Sequence, residues 1–464
     1  MLLEIYRSFP DLLCSNGSLP EDYIRHLLVT LAINVLALLA TIAQASRTKA
    51  IQILPLIIAG GAYVATGGVF VRGCIASGPV AVLYRYILTL AETMTTCFYV
   101  AGLASLSLTS AGQIQWTAIL APPRYARLYS WITGWITTLG WQAFTASAAF
   151  LGGTMIQGFV VLRYENYHFE RWHGTMLYWA IWLPAFLVHT VGIKYMPMIE
   201  NGILIFHIAS FIAVFIPLVL LAQHKRAEYV FTTFENSSGW ENDGVAWFLG
   251  LLSAGYVLVG YGGACHLITG KEMHNASVTL PLVVIKTVGL NSMLDLGFLF
   301  ALLFCLGDTE SVLNTSTGVP IVQIVYNTTG SHTATAALMT PFISVAVAST
   351  FGLLASTSRA TWAFATDRGL PFSGFLSQIT GTSTLPHGAI TSSTIFTALL
   401  GLINIGSTTA FNAIISLHRQ SIRLVPDTYP PAPFTTCYWA TFGAPPIQTW
   451  KSTRPYNKCA GCDV

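Results

Sequence analysis

The sequence predicts an all-α polytopic membrane protein, and three observations carry that prediction. First, 53% of its 464 residues are hydrophobic and only 9% are charged, with a mean hydropathy of +0.61. Ordinary globular chains carry about 25% charged residues, so this one lacks the means to cover a water-facing surface. Second, apolar segments recur along the chain, most of them near the roughly 20 residues needed to cross a hydrocarbon core. Third, the stretch Gly255–Pro281, GYVLVGYGGACHLITGKEMHNASVTLP, opens as such a segment and then sets Gly260, Gly262 and Gly263 around Tyr261 at mid-membrane depth.

The apolar segments lie near 27–44, 51–71, 80–103, 130–160, 175–193, 200–222, 246–268, 281–306, 334–356 and 386–405, and an eleventh begins at Thr408 and stops at Leu417. The linkers between them are short, which makes one membrane domain over 51–417, preceded by 1–50 with an extra apolar segment. The first apolar run is late and long for a cleavable signal peptide. A formal net charge of +3 is too small to point to nucleic acid. The eight cysteines are scattered, and only Cys459 and Cys462 have metal-like or redox spacing, a weak signal without partner ligands.

Basic residues set the expected orientation. With the loop at 104–129 on the cytoplasmic side, that side holds Arg124, Arg127, Lys194, Lys271, Arg359 and Arg368, against Arg163, Arg171, Lys225 and Arg226 on the other. The Asn236, Asn314 and Asn327 sequons then lie outside, where glycosylation is feasible, and the Asn275 sequon lies inside.

Glycines at the spacing of 260–263 weaken a helix by about 1 kcal/mol each relative to alanine. Inside a bilayer, loosened backbone is tolerated only where protein or a watery cavity satisfies its polar groups. Secondary transporters build cargo sites from such broken helices, while close packing of a neighbouring helix is the competing use of the same glycines. The segment at 51–71 repeats the pattern, with Gly60-Gly61 before Tyr63 and then Gly67-Gly68. Two glycine-broken spans, one per half and five spans apart, are what an inverted-repeat transporter would show.

The expected cargo site is therefore the unwound backbone of Gly60–Tyr63 and Gly260–Gly263. Helix N-terminal ends there would favour a carboxylate and C-terminal ends an ammonium group. Tyr63 and Tyr261 offer aromatic faces to an amine, with core or interfacial packing as the alternative. Trp141 and Gln142 of the third span are candidates to line the same cavity; Trp141 could instead face lipid, whereas Gln142 should face protein. Arg85 and Glu92 share a helix face with a rise of about 10 Å between them, and intramembrane charges such as these, Lys286 and Asp295 are functional candidates by default. His189, His207 and His266 could relay protons, although packing is the commoner role. Arg359, Asp367 and Arg368 read as a gate or a loop anchor at the cytoplasmic end of the eighth span. No catalytic triad, Walker loop or metal cluster is readable, so neither an enzyme nor an ATP-driven pump is supported. No cofactor is called for, and coupling to protons stays open.

Several segments resemble the fungal amino acid/choline/4-aminobutyrate permeases of the amino acid–polyamine–organocation superfamily. Ala355–Ser373 (ASTSRATWAFATDRGLPFS) is similar to that family's loop after the eighth span. Ala104–Pro123 (ASLSLTSAGQIQWTAILAPP) resembles its loop after the second, Thr133–Gly158 its third span, and Leu402–Leu417 its ninth-to-tenth junction. GYGGACHLITGKEMHNASVTLP matches its sixth span and following loop. The likeness implies a five-plus-five inverted-repeat fold, a cargo of amino acids or related amines, alternating access, and a multi-pass location, the plasma membrane first. It also exposes departures: related permeases usually carry an aspartate at Gly262, a tryptophan at Tyr63, a glutamate at Gly102 and a histidine at Gln115. Without the carboxylate at the sixth-span break, a cationic amine loses a natural partner.

The family-like text stops at Leu417, in the middle of a span, and the 47 residues after it hold 7 of the chain's 21 prolines. We expect 418–464 to lie outside the fold as a disordered tail, produced by a shifted reading frame or a misplaced splice boundary after Leu417. The fold would then be incomplete at its C-terminus, and a transport-inactive homologue or a binding or sensing protein is the alternative function.

Overall fold

The computed structural model describes residues 62–415, except 165, 169, 193–194, 237, 267–275, 308–310, 313–314, 316 and 380–385. The 27–44 segment, Gly60, Gly61, the side chain of Tyr63, Lys271, and 418–464 with Cys459 and Cys462 lie outside the described residues.

The described residues form helices joined by turns, with no strand among them. In chain order they are α1 (Ala62–Leu106), α2 (Gln113–Leu120), α3 (Ala126–Arg163), α4 (Arg171–Thr190), α5 (Met196–Leu221) and α6 (Ala227–Thr232). There follow α7 (Asp243–Val257), α8 (Gly263–His266), α9 (Ala276–Phe304), α10 (Pro320–Thr329) and α11 (His332–Thr366). The last are α12 (Ser373–Leu376), α13 (His387–Gly406) and α14 (Thr408–Ile415). Five are long and apolar enough to cross a membrane: Ser77–Leu106, Ala126–Arg163, Ser277–Phe304, His332–Thr366 and His387–Gly406. The apolar parts of α5 and α7 are shorter, and α7 is short because its span is interrupted at residue 258.

α1 is two spans joined by a reversal. Ser77 and Gly78 leave the helical region, Gly78 at φ 76° and ψ 179°, and Pro79 starts the second arm. That backbone region is essentially reserved for glycine, and a Cβ on Gly78 would sit 2.7 Å from the Glu235 amide nitrogen. Proline suits the first turn because its missing N–H has no intrahelical partner there anyway. The reversal is visible in what the arms touch. A straight helix would part residues 66 and 86 by about 30 Å. Yet Thr66 donates a hydrogen bond to Asp295, and Tyr86 donates to the Ser292 carbonyl (3.0 Å), one turn away on α9.

Lipid tails are as apolar as leucine, so helices in a bilayer hold together by close packing rather than by a hydrophobic drive. Phe211 stacks on Phe215 with centroids 5.3 Å apart, and Phe298 of α9 lies between Phe211 and Phe342 of α11. A second cluster gathers Tyr178 and Trp182 of α4 with Phe411 of α14. Small residues admit large ones: a Cβ on Gly401 would meet the Tyr178 ring at 2.7 Å. Leu187, Phe248, Leu282, Met293 and Leu399 point outward, as suits a lipid-facing surface.

One expectation is corrected here. Gly67 and Gly68 do not interrupt the first span, because the helix runs through both. They let neighbours approach instead: a Cβ on Gly67 would lie 2.7 Å from Phe342, and one on Gly68 would collide with Leu151 and come within 3.2 Å of Met155.

Candidate functional site

The sixth span breaks where its glycines are. α7 ends at Val257 and α8 begins at Gly263, leaving Leu258–Gly262 outside any helix. Gly260 has φ +115°, which a side chain would oppose. The chain resumes through short turns, with Gly263 N–H donating to the Gly260 carbonyl (3.0 Å) and Cys265 N–H to that of Gly262 (3.1 Å).

A cavity of about 30 Å³ lies between this break and the first span. Val64 and Ala65 of α1 line one side, and Val257 and Val259 at the break line another. Phe144, Ala148 and Leu151 of α3, Tyr256 of α7, and Ala346, Ser349 and Leu353 of α11 complete it. Among the described residues, no charged side chain lines it. Its side-chain hydroxyls are engaged: Tyr256 with Ser147 (2.9 Å), and Ser349 with the Ala346 carbonyl (2.7 Å). A space of that size holds roughly one water, whereas sites for small ligands run to several hundred Å³. At this size the cavity is closed to cargo, and Phe144 and Tyr256 of its lining meet edge to face with centroids 6.3 Å apart.

Trp141 packs against the break. Its ring lies 3.9 Å from where a Gly262 Cβ would start and 3.1 Å from a Gly263 Cβ, and it meets His266 of α8 edge-on at 5.5 Å. Around it are buried polar atoms without hydrogen-bond partners among the described residues: the Trp141 indole N–H, both ends of the Gln113 amide, and His266 Nε2. The Gln113 Nε2 would be 3.4 Å from a Gly262 Cβ. His266 Nδ1 is held by the Ser110 carbonyl (3.0 Å). Orphaned buried groups of this kind ask for a partner, water or cargo.

The predicted residues divide. Gly260, Gly262, Gly263 and Trp141 come together at the break. Gln142 turns the other way: its Nε2 donates to Ser393 (2.9 Å) and Thr361 (3.4 Å), and its Oε1 accepts from Thr397 (2.8 Å), which ties α3 to α11 and α13. Tyr261 is buried in the main apolar core, so the aromatic faces at the cavity are Phe144 and Tyr256 instead. Those two stand one turn from Trp141 and from the break, which is the signal in the sequence that would have found them. Gly60, Gly61 and the Tyr63 side chain fall outside the described residues, although Val64 and Ala65 carry the first span to the cavity.

Asp367 and Arg368 are exposed at the end of α11, while Arg359 is half-buried two turns earlier. Arg368 N–H bonds the Ala365 carbonyl and Gly369 N–H that of Phe364, each at 3.0 Å, a Schellman ending that places Arg368 at φ 57°. Arg85 is buried with its guanidinium 5.9 Å over the Trp247 ring and against Gly250, whereas Glu92 is exposed. His189 is buried with its Nδ1 on the Ala185 carbonyl (2.8 Å), the packing role.

Comparison with known proteins fits this geometry. A protein of Macrophomina phaseolina named as an amino acid/polyamine transporter is 32% identical over 77% of this chain and 78% of its own. The choline transporter of Saccharomyces cerevisiae is 26% identical over 75% of this chain, a match spanning only 61% of that protein's length. An amino-acid permease of Arabidopsis thaliana is 26% identical over 77% of this chain and 74% of its own. These relatives are transporters, not enzymes. The family profile described as amino acid permease matches residues 52–425, and a multi-pass helical chain with a glycine-broken sixth span belongs to that family.

Proposed function

We propose that the chain is a secondary transporter of the plasma membrane. Its cargo is a small amino acid or a related amine of the choline or 4-aminobutyrate class, moved by alternating access through the membrane domain of residues 51–417. One observation carries the reading: the Leu258–Gly262 break faces Val64 and Ala65 of the first span across a shared cavity. Backbone at the break, reached through Val257 and Val259, is the polar surface such a site offers, since no charged side chain lines it among the described residues. Phe144 and Tyr256 supply faces for an amine, and they must separate before cargo can enter. Glycine at position 262 favours a zwitterion, whose carboxylate and ammonium groups can both be met by backbone dipoles, over a bare cation that needs a counter-charge.

Uptake of a labelled panel of amino acids and amines into cells lacking their own permeases tests this. Saturable uptake of a zwitterionic amino acid above that of choline is the expected result. Binding of a panel member by purified protein, with no uptake of any, would replace transport with the sensing alternative.

A further inference from the structure

α9 carries a carboxyl group in the middle of an apolar span. Asp295 is fully buried, its Oδ1 accepts a hydrogen bond from Thr66 of α1, and its Oδ2 has no hydrogen-bond partner among the described residues. Tyr86 is the titratable group that faces it, and its phenol proton goes to the Ser292 carbonyl (3.0 Å). Two other ionisable groups on the elements packed around α9 have partners elsewhere. Arg85 lies against Trp247 and Gly250 of α7, and His266 of α8 is held by Ser110. Glu228 of α6 is exposed, and Lys286 of α9 is half-buried. A carboxylate enclosed with only neutral donors beside it, the Thr66 hydroxyl and the Tyr86 phenol, is too costly to keep ionised without a cation. The space on Oδ2 suits the smallest one.

We propose that Asp295 is the coupling-proton site of this transporter, taking one proton on Oδ2 and reporting its presence to the first span through Thr66. This rests on the transport reading above. Thr66 is the residue after Val64 and Ala65, so the same helical turn touches the cavity on one side and the carboxyl on the other. With the proton bound, the carboxyl is neutral and the arm of α1 stays against α9, as in this closed conformation. Loss of the proton to water leaves a buried anion. Its need for solvation draws α1 away from α9 and opens the site. Nothing but the proton is bound and released, so charge and atoms balance within the cycle.

The test uses the full chain with Asp295→Asn, which keeps the shape of the neutral acid but cannot release a proton. In proteoliposomes, exchange of labelled cargo across the membrane should fall as well, because a side chain that never becomes an anion cannot draw α1 away from α9. Accumulation driven by an inward proton gradient should fall at least tenfold, and the pH dependence of uptake should flatten. Infrared spectra of the purified protein should show a protonated-carboxyl C=O band in the wild type that is missing from the variant. Undiminished proton-driven accumulation by the variant, wild-type accumulation indifferent to the proton gradient, or an unchanged carboxyl band would overturn the proposal. If the wild type moves no cargo at all, the transport reading and the coupling role fail together, while the carboxyl band still decides whether Asp295 holds a proton. Should Asp295→Asn fail to fold, Thr66→Val keeps the acid. It should shift the carboxyl band and reduce proton-driven uptake severalfold, and no change in either would sever the link to α1.

Discussion

Trp141 meets His266 edge-on, with ring centroids 5.5 Å apart and planes at 87°, and so ties the third span to the helical turn just beyond the break in the sixth. The two residues come from segments 125 positions apart, and the missing Cβ at Gly263, which would lie 3.1 Å from the indole, is what lets the ring approach the backbone there. On the proposed transport reading, cargo met by the backbone at the break comes within reach of this contact.

Gly262→Trp should abolish uptake while leaving the protein in the membrane. The new ring would start 3.4 Å from Gln113 and 3.9 Å from Trp141, against the break proposed to meet cargo. Uptake normalised to surface-labelled protein checks it, and undiminished uptake would remove Gly262 from the site.

Gln142→Leu should lower stability by about 1–3 kcal/mol, because Ser393, Thr361 and Thr397 lose a buried partner. The apparent KM for cargo should hold. A lower melting temperature in detergent with unchanged KM is the expected pair of results, and a raised KM would return Gln142 to the cargo site.

Gly78→Ala should cost about 1–3 kcal/mol from backbone conformation alone, with a further penalty from the 2.7 Å approach to the Glu235 amide. The reversal between the first two spans depends on this residue. Folded yield by size-exclusion chromatography should drop sharply, and a normal yield would show that the turn can be made another way.

Arg368→Gly should not destabilise the protein and should gain about 1 kcal/mol, since glycine relieves the left-handed conformation at φ 57°. Thermal melting reads the gain. Uptake should stay within twofold if Arg368 only ends the helix, whereas a tenfold loss in a well-folded variant would assign its side chain to a gate.

The membrane class and the break in the sixth span were legible in the chain itself, because hydropathy and glycine's backbone freedom are local properties. Three glycines around Tyr261 loosen a helix whatever surrounds them. Asp295 also stood out in the sequence, as a charge in an apolar run.

What each such residue does was settled only by tertiary structure. Gly67-Gly68 and Gly262-Gly263 look alike in sequence, yet the first pair stays helical because Phe342, Leu151 and Met155 crowd onto it and make it a packing face. Trp141 and Gln142 are neighbours, but adjacent residues on a helix point about 100° apart. Only the arrival of α11 and α13 decides that the amide is consumed in packing while the indole faces the break. Thr66 and Asp295 lie 229 positions apart, and no local pattern could pair them. Local chemistry states what a residue is able to do, and the neighbours delivered by the fold decide which of those things its polar atoms and its missing Cβ are spent on.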